Sequence, residues 1–288
     1  GKNTMGYILY ARYRLRLPMK KIQESLSDLY DFTLSEGEIV DTLKNAETLF
    51  GKDYVAIQVL IQEAKAVYAD ETGWRMDGRN WWLWVFATTT GTQYVIEDTR
   101  GKGVPEKVLG EKEDRIIISD GYAAYQNLPG DKQQCWVHLL RAAKLHSLTL
   151  YEDLVLLYKK LLLELEKPIP KRDKEQFKKE FTFLIEKKYP ESTVEKVKGR
   201  MKRHAPFLFT CLDYEGVLPE NNTAERAIRP QVVMRKIFGG SRSVSGARAH
   251  QVNSSVIETL RKQNPNANFF DVMLPLLEKR MEERHSGV

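Results

Sequence analysis

Cysteine is scarce in this chain: 288 residues carry only Cys135 and Cys211. Two thiols cannot make a disulfide framework, and they suit a reducing compartment. Long apolar runs are also missing. Nothing approaches the roughly 18 residues a membrane span needs, and no charged, apolar and small-residue succession of a signal peptide opens the sequence. These absences predict a cytoplasmic protein without membrane contact. A single dominant charge is lacking too, since 45 Lys and Arg face 39 Asp and Glu for a net charge of +6. What is present is an apolar fraction of 42%, enough for a sizeable core in one large or two modest domains. The chain opens on Gly1 rather than Met, which reads as a trimmed or processed start.

The small net charge hides a concentration. Between residues 221 and 250 the cations Arg226, Arg229, Arg235, Lys236, Arg242 and Arg248 stand against the single anion Glu225, a local net charge of +5. Phosphate affinity follows local contacts and the counterions they release, so this window is the expected DNA-binding patch. Arg229, four residues after Glu225, has a simple helix ion pair as its alternative role.

Two carboxylates organise the rest. In Val67-Tyr-Ala-Asp70-Glu71-Thr72 and in Ile116-Ile-Ile-Ser-Asp120-Gly121-Tyr122 an apolar run stops at an Asp, which places each carboxylate at a strand end. Such a pair makes half of a site for a hard divalent cation, because magnesium seeks several converging carboxylate oxygens. The third carboxylate is sought downstream. Glu225, at a helix start in Pro219-Glu-Asn-Asn-Thr-Ala-Glu225-Arg-Ala-Ile-Arg229-Pro230, is the candidate, with Asn222 expected to cap the helix and Pro230 to kink or end its first section. Each carboxylate also has a structural alternative. Asp70 and Asp120 could form turns, and Glu225 could close a capping box with Asn222. Glu71, the neighbour of Asp70, is expected to point to the opposite strand face.

The strings ADETGWRM, SDGYAAY, CWVHLLRAAK and NNTAERAIRP, in that order, resemble the DDE transposases of the insertion-sequence sixty-six type. The resemblance runs over most of residues 50–262 and puts Asp70, Asp120 and Glu225 in the family's catalytic triad. It implies a DNA transposase that cleaves and joins strands at insertion-sequence ends. Two magnesium ions, with manganese as a substitute, would sit on the three carboxylates, with transposon-end and target DNA as partners and a homo-oligomer, a dimer on DNA, as the acting form. Two other functions stay open: a nuclease of related fold without strand transfer, and a domesticated inactive copy that only binds DNA.

Along the chain, residues 8–16, 19–29 and 35–43 have helical spacing, with Ser35 as an N-cap. They form an N-terminal helical segment over residues 1–50. A helix-turn-helix is one reading of it, but Glu36, Glu38 and Asp41 sit where base-reading cations would help, which favours an ordinary helical hairpin. Residues 51–288 then read as the catalytic domain. A helix over 52–65 leads into the Asp70 strand, and a hairpin follows with turns at Gly78 and Gly91. Alternate members of the group Trp81, Trp82 and Trp84 are expected to pack as core. Crossover helices at 103–110 and 122–128 bracket the Asp120 strand, and a fifth strand is expected over 133–137. Three antiparallel strands followed by two reached through helices make a mixed five-stranded α/β sheet with flanking helices. The resemblance names this order ribonuclease-H-like.

Residues 147–214 read as a helical insertion before the Glu225 helix. Its apolar stripes are Leu154, Leu157 and Leu161, then Phe177 and Phe181, then Val194, Val197 and Met201. The loop 238–248 has the Gly and Ser content of a phosphate-contacting loop without P-loop spacing. His138 follows the fifth strand as an accessory candidate, with a satisfied structural histidine as its alternative. Cys135-Trp-Val-His138 has the spacing of half a zinc site, but only the distant His146, His204 and Cys211 remain to complete it, so a buried cysteine beside Trp136 is expected.

Overall fold

The computed structural model describes residues 1–286. Helix α1 (Lys2–Leu9) runs on through a π-helical turn at Tyr10–Arg14, so helix begins well before residue 8. Helix α2 (Met19–Tyr30) ends on Asp31 in a left-handed conformation at φ 48°. Helix α3 (Glu36–Leu49) starts with the expected Ser35 cap, closed as a capping box by Glu38. Helix α4 (Gly51–Glu63) leads to the sheet.

Strand β1 (Ala66–Met76) passes straight through Asp70, which corrects the expectation that it stops there. Its parallel pairing with β4 covers only Ala66 to Tyr68, while the rest of the strand continues beside β2 with Trp74 and Met76 buried and Arg75 exposed. Asp77 and Gly78, at φ 46° and 76°, turn the chain into β2 (Arg79–Ala87). Both central residues of this two-residue loop have positive φ, the geometry of the hairpin turns for which Asp-Gly is suited. Strand β3 (Thr92–Glu97) returns antiparallel to β2. Trp84 is fully buried and Trp82 only half-buried.

Helix α5 (Gly103–Leu109) precedes β4 (Ile116–Ser119), and α6 (Ala123–Gln126) precedes β5 (Asp131–Gln134). Strand β5 lies earlier than its expected span, for two reasons. Polar Asp-Lys-Gln-Gln pairs in parallel with β4, and the buried Gln133 amide bonds the Leu208 carbonyl and the Cys211 N–H at 3.0 and 2.8 Å. The apolar Trp136 instead opens helix α7 (Trp136–His146), where its ring packs among Tyr158, Phe181 and Phe209. Helices α8 (Leu148–Leu165), α9 (Lys174–Glu186) and α10 (Val194–His204) bury the three expected stripes.

Helix α11 (Asn222–Phe238) contains Pro230 without ending there, contrary to expectation. The backbone carbonyl that a proline deprives of a partner is that of Arg226, on the exposed side of the helix where water reaches it. Helix α12 (Val244–Gln263) precedes α13 (Phe269–Ser286).

The five strands form one mixed sheet in the order β3-β2-β1-β4-β5, flanked by helices and compatible with the ribonuclease-H-like expectation. By compactness the chain forms two units. One comprises Gly1–Ala64, Asp70–Gly110 and the described residues from Thr223 on; the other comprises Lys65–Ala69 and Glu111–Asn222.

In the first unit, β3 would be an exposed edge were it not covered by α12. Thr259 Oγ1, Ser255 Oγ and Gln251 Oε1 accept from the backbone N–H groups of Thr92, Tyr94 and Ile96 at 3.0, 2.9 and 3.0 Å. Two strand residues advance about 6.6 Å and four helix residues about 6 Å, so a polar residue every fourth helix position matches every second strand position. The edge is thereby satisfied without another strand. Among the described residues no helix is long and apolar enough to cross a membrane.

Candidate functional site

Asp70 sits half-buried in β1, with its Oδ1 accepting the Glu71 N–H at 2.9 Å. Glu71 is a different kind of carboxylate. Its side chain is 1% exposed, and Oε1 accepts from Arg100 Nη2 and Nε at 2.6 and 3.0 Å. The Arg100 guanidinium in turn lies 4.6 Å over the Trp82 ring. A carboxylate so deeply buried requires a paired cation, and Arg100 supplies it, which gives Glu71 a structural task.

Asp120 follows the last residue of β4 and is half-buried. Its Oδ1 accepts the Tyr122 N–H at 2.9 Å and its carbonyl accepts Gln134 Nε2 at 3.3 Å. Between them Gly121 adopts φ 85°, where an added Cβ would come within 2.8 Å of the Gln134 amide. Glycine is required there both for its φ and for the close approach. Asp120 is therefore set in a turn held by its own side chain, with its other carboxylate oxygen not engaged in that turn.

The same unit holds two residues to which sequence reasoning assigned no role at this site. Asn221 is fully buried, and its Nδ2 donates to the Ala69 carbonyl at 2.8 Å, next to Asp70 in the chain. Its backbone N–H donates to Cys135 Sγ at 3.3 Å. His204, at the end of α10, lines a small cavity with Ser119, Gly121, Tyr122 and Gln134. Burial lowers its pKa, Arg200 and Arg203 lower it further, and Asp120 opposes them. No sequence signal marks either residue, because both act through contacts distant in the chain. His138 lies half-buried in the first turn of α7. Both cysteines are buried, and burial pushes the Cys211 thiol up to about 12, which keeps it protonated and unlike a zinc-binding thiolate.

Glu225 lies half-buried in the first turn of α11, where the N-terminal end of the helix favours negative charge. The helix starts at Asn222, so Asn221 takes the cap position expected for Asn222. Asn222 Nδ2 instead donates to Glu220. Counted from Asn221, the third helical residue is Ala224, and Glu225 falls outside the capping-box position.

Of the basic window, Arg226, Arg229, Lys236 and Arg242 are exposed. Arg235 Nη1 donates to Thr72 Oγ1 at 3.2 Å and to the Gly73 carbonyl, and Arg248 Nε meets Glu47 Oε1 at 2.7 Å. The loop between α11 and α12 is tied to β1. Ser241 N–H donates to the Arg75 carbonyl at 2.8 Å, Asp77 N–H donates to the Ser241 carbonyl at 2.9 Å, and Trp74 Nε1 donates to Ser241 Oγ at 3.1 Å. Gly240, at φ 101°, leaves no room for a Cβ, which would overlap the Arg75 carbonyl. Gly240 thus serves the loop's attachment to the strand, two residues before Arg242.

The sequence profile of the Transposase IS66 family matches residues 1–153 and 158–249. No curated protein matches the chain in sequence.

Proposed function

The chain belongs to the Transposase IS66 family, and from that premise we propose that it cleaves and joins DNA strands at insertion-sequence ends, with Asp70, Asp120 and Glu225 as its catalytic carboxylates. The observation that carries this reading is a strand register. Ala66, Val67 and Tyr68 pair with Ile116, Ile117 and Ile118, a constant offset of fifty residues. Asp70 and Asp120 stand the same fifty residues apart, two positions past Tyr68 and Ile118, where the pairing ends, and residues at matching positions along parallel strands project to the same face. The bond from Asn221 to the Ala69 carbonyl, four residues before Glu225, supports the third member.

Three half-buried carboxylates supply hard oxygen donors and fit divalent magnesium or manganese. Two such ions would neutralise phosphoryl charge, raise the acidity of the attacking hydroxyl and stabilise the leaving 3′ oxygen. The protein's own contribution is positioning. Asp120 is oriented by the Tyr122 N–H, Glu225 by the first turn of α11, and Asp70 by the strand on which it lies. Glu71 takes no part, since Arg100 already engages it. Arg226, Arg229, Arg235, Lys236, Arg242 and Arg248 are the proposed DNA contacts, Arg226 and Arg229 on the helix of Glu225 and Arg235 through the same face of β1 it already touches. His138 is a proposed accessory group. The acting form is a cytoplasmic dimer on DNA, with residues 147–214 as an insertion in a catalytic domain over 51–288.

Single-turnover cleavage of end-bearing DNA, with magnesium and with chelator, tests this reading. Cleavage and joining in magnesium that vanish in Asp70→Asn while the fold is kept would support it. Cleavage without joining would turn it into a nuclease, and DNA binding without cleavage into a binding protein.

A further inference from the structure

In the unit that holds the N-terminal helices, a cleft of about 430 Å³ opens between α2, α3 and the loop before α12. Arg12, Lys20, Lys44 and Arg242 line it against one anion, Glu36. Lys20 and Arg242 are exposed, so the cleft is open to solvent on the side where they stand. Lys44 is only loosely engaged, 3.9 Å from Asp41.

Arg12 is held more firmly. Its guanidinium lies 3.5 Å over the Phe238 ring, and Nη1 donates to the Leu17 carbonyl at 3.1 Å. Burial lowers its pKa to about 10, so it remains charged at neutral pH while poorly hydrated, and an anion in the cleft would restore what hydration it has lost. Helix α2 begins on this wall without a side-chain cap, which adds the partial positive charge of unbonded N–H groups. Arg242 is presented by the loop that Gly240 and Ser241 fasten to β1.

We propose that this cleft grips the sugar-phosphate backbone of a DNA segment, as a contact apart from the three carboxylates. The choice of DNA as the polyanion rests on the transposase reading above; the site itself rests on the cleft. Lys20 and Arg242 stand exposed beside the more deeply set Arg12, an arrangement that suits an extended phosphodiester chain better than a small free anion. The N-terminal helices would then hold DNA through phosphates, without a recognition helix that reads bases, consistent with the acidic start of α3.

The test is equilibrium binding of a duplex of about 20 base pairs, followed by fluorescence anisotropy in chelator across a salt series. Each phosphate contact adds about 0.9 to the slope of log affinity against log salt, so Lys20→Ala with Lys44→Ala is expected to reduce that slope by about 1.8. Glu36→Gln should act in the opposite direction. Removing one unit charge at about 7 Å in water should tighten low-salt binding about threefold, an outcome that misfolding cannot imitate. An unchanged slope in the double variant, or unchanged or weaker binding by Glu36→Gln, overturns the proposal. So does wild-type protein that binds inorganic phosphate but no duplex. Because chelator prevents cleavage, the result is independent of catalysis: a wild-type protein that shows the slope change but never cleaves would retain this cleft and lose the proposed function.

Discussion

His250 should make the stability of this protein fall as the solution is acidified. The imidazole is buried in α12, stacked on Trp74 with ring centres 4.9 Å apart and packed near Tyr13 at 5.6 Å. Its Nε2 lies 2.7 Å from Gln231 Oε1, an atom that can only accept, so Nε2 carries the proton of a neutral ring. Burial, helped by the nearby Arg12 charge, lowers its pKa to about 3. The unfolded chain would titrate near 6.5. Below that value the unfolded state binds a proton that the folded state refuses, so the contribution is complete above about pH 6.5 and is lost as pH falls toward 3. At pH 5 the loss comes to about 2 kcal/mol. The assay is urea unfolding at several pH values between 5 and 8 for wild type and His250→Gln. The variant loses the stack and is less stable at pH 8, but the gap between the two proteins should narrow by about 2 kcal/mol at pH 5. Parallel pH profiles for the two proteins would refute the argument that His250 is held neutral.

Three further outcomes follow from single contacts. Glu71→Gln removes the charge that pairs Arg100, and because Arg100 is 39% exposed the cost should be about 1–2 kcal/mol in chemical unfolding, with cleavage of DNA retained under conditions where the variant is folded. Gly240→Ala should lower stability by about 2 kcal/mol or more and shift the melting temperature, since the new Cβ meets the Arg75 carbonyl at φ 101°; a melt like that of wild type would contradict the attachment of the loop to β1. Ser255→Ala leaves the Tyr94 N–H without its acceptor on a covered edge, for a loss of about 1–3 kcal/mol and faster hydrogen exchange at Tyr94 than at Val85 of the neighbouring strand.

Much of the sheet was legible because its signals are local. Continuous runs of aromatic and β-branched residues mark β2 and β3, Gly78 marks the turn between β1 and β2, and Ser35 marks the start of α3. Where the reading missed, a contact far along the chain decided the outcome. Strand β1 outruns Asp70 because β2 waits to pair with it, and β5 is polar because Leu208 and Cys211 satisfy Gln133. Pro230 looked like a stop, but an exposed carbonyl tolerates the missing N–H. Gln251, Ser255 and Thr259 did carry a readable pattern of every fourth residue; only the presence of β3 shows what it is for. At the site, the order strand, strand, helix of Asp70, Asp120 and Glu225 is a sequence property, whereas the difference between Asp70 and Glu71 depends on Arg100, nearly thirty residues away. The bond from Asn221 to Ala69 and the place of His204 beside Gly121 could not be found from spacing at all.

Glu225 is proposed as a catalytic carboxylate, and one substitution tests that role with little structural disturbance. Glu225→Gln keeps the shape of the side chain and the first turn of α11 while removing one negative charge from the proposed metal-binding set. Thermal melting in chelator and single-turnover cleavage of end-bearing DNA in magnesium are measured on the same preparation. If Glu225 belongs to the proposed set, the expected result is an unchanged or slightly higher melting temperature, from the repulsion that the proposed carboxylates would lose, together with intact DNA binding and cleavage reduced by orders of magnitude. Near-normal cleavage by this variant would contradict that role.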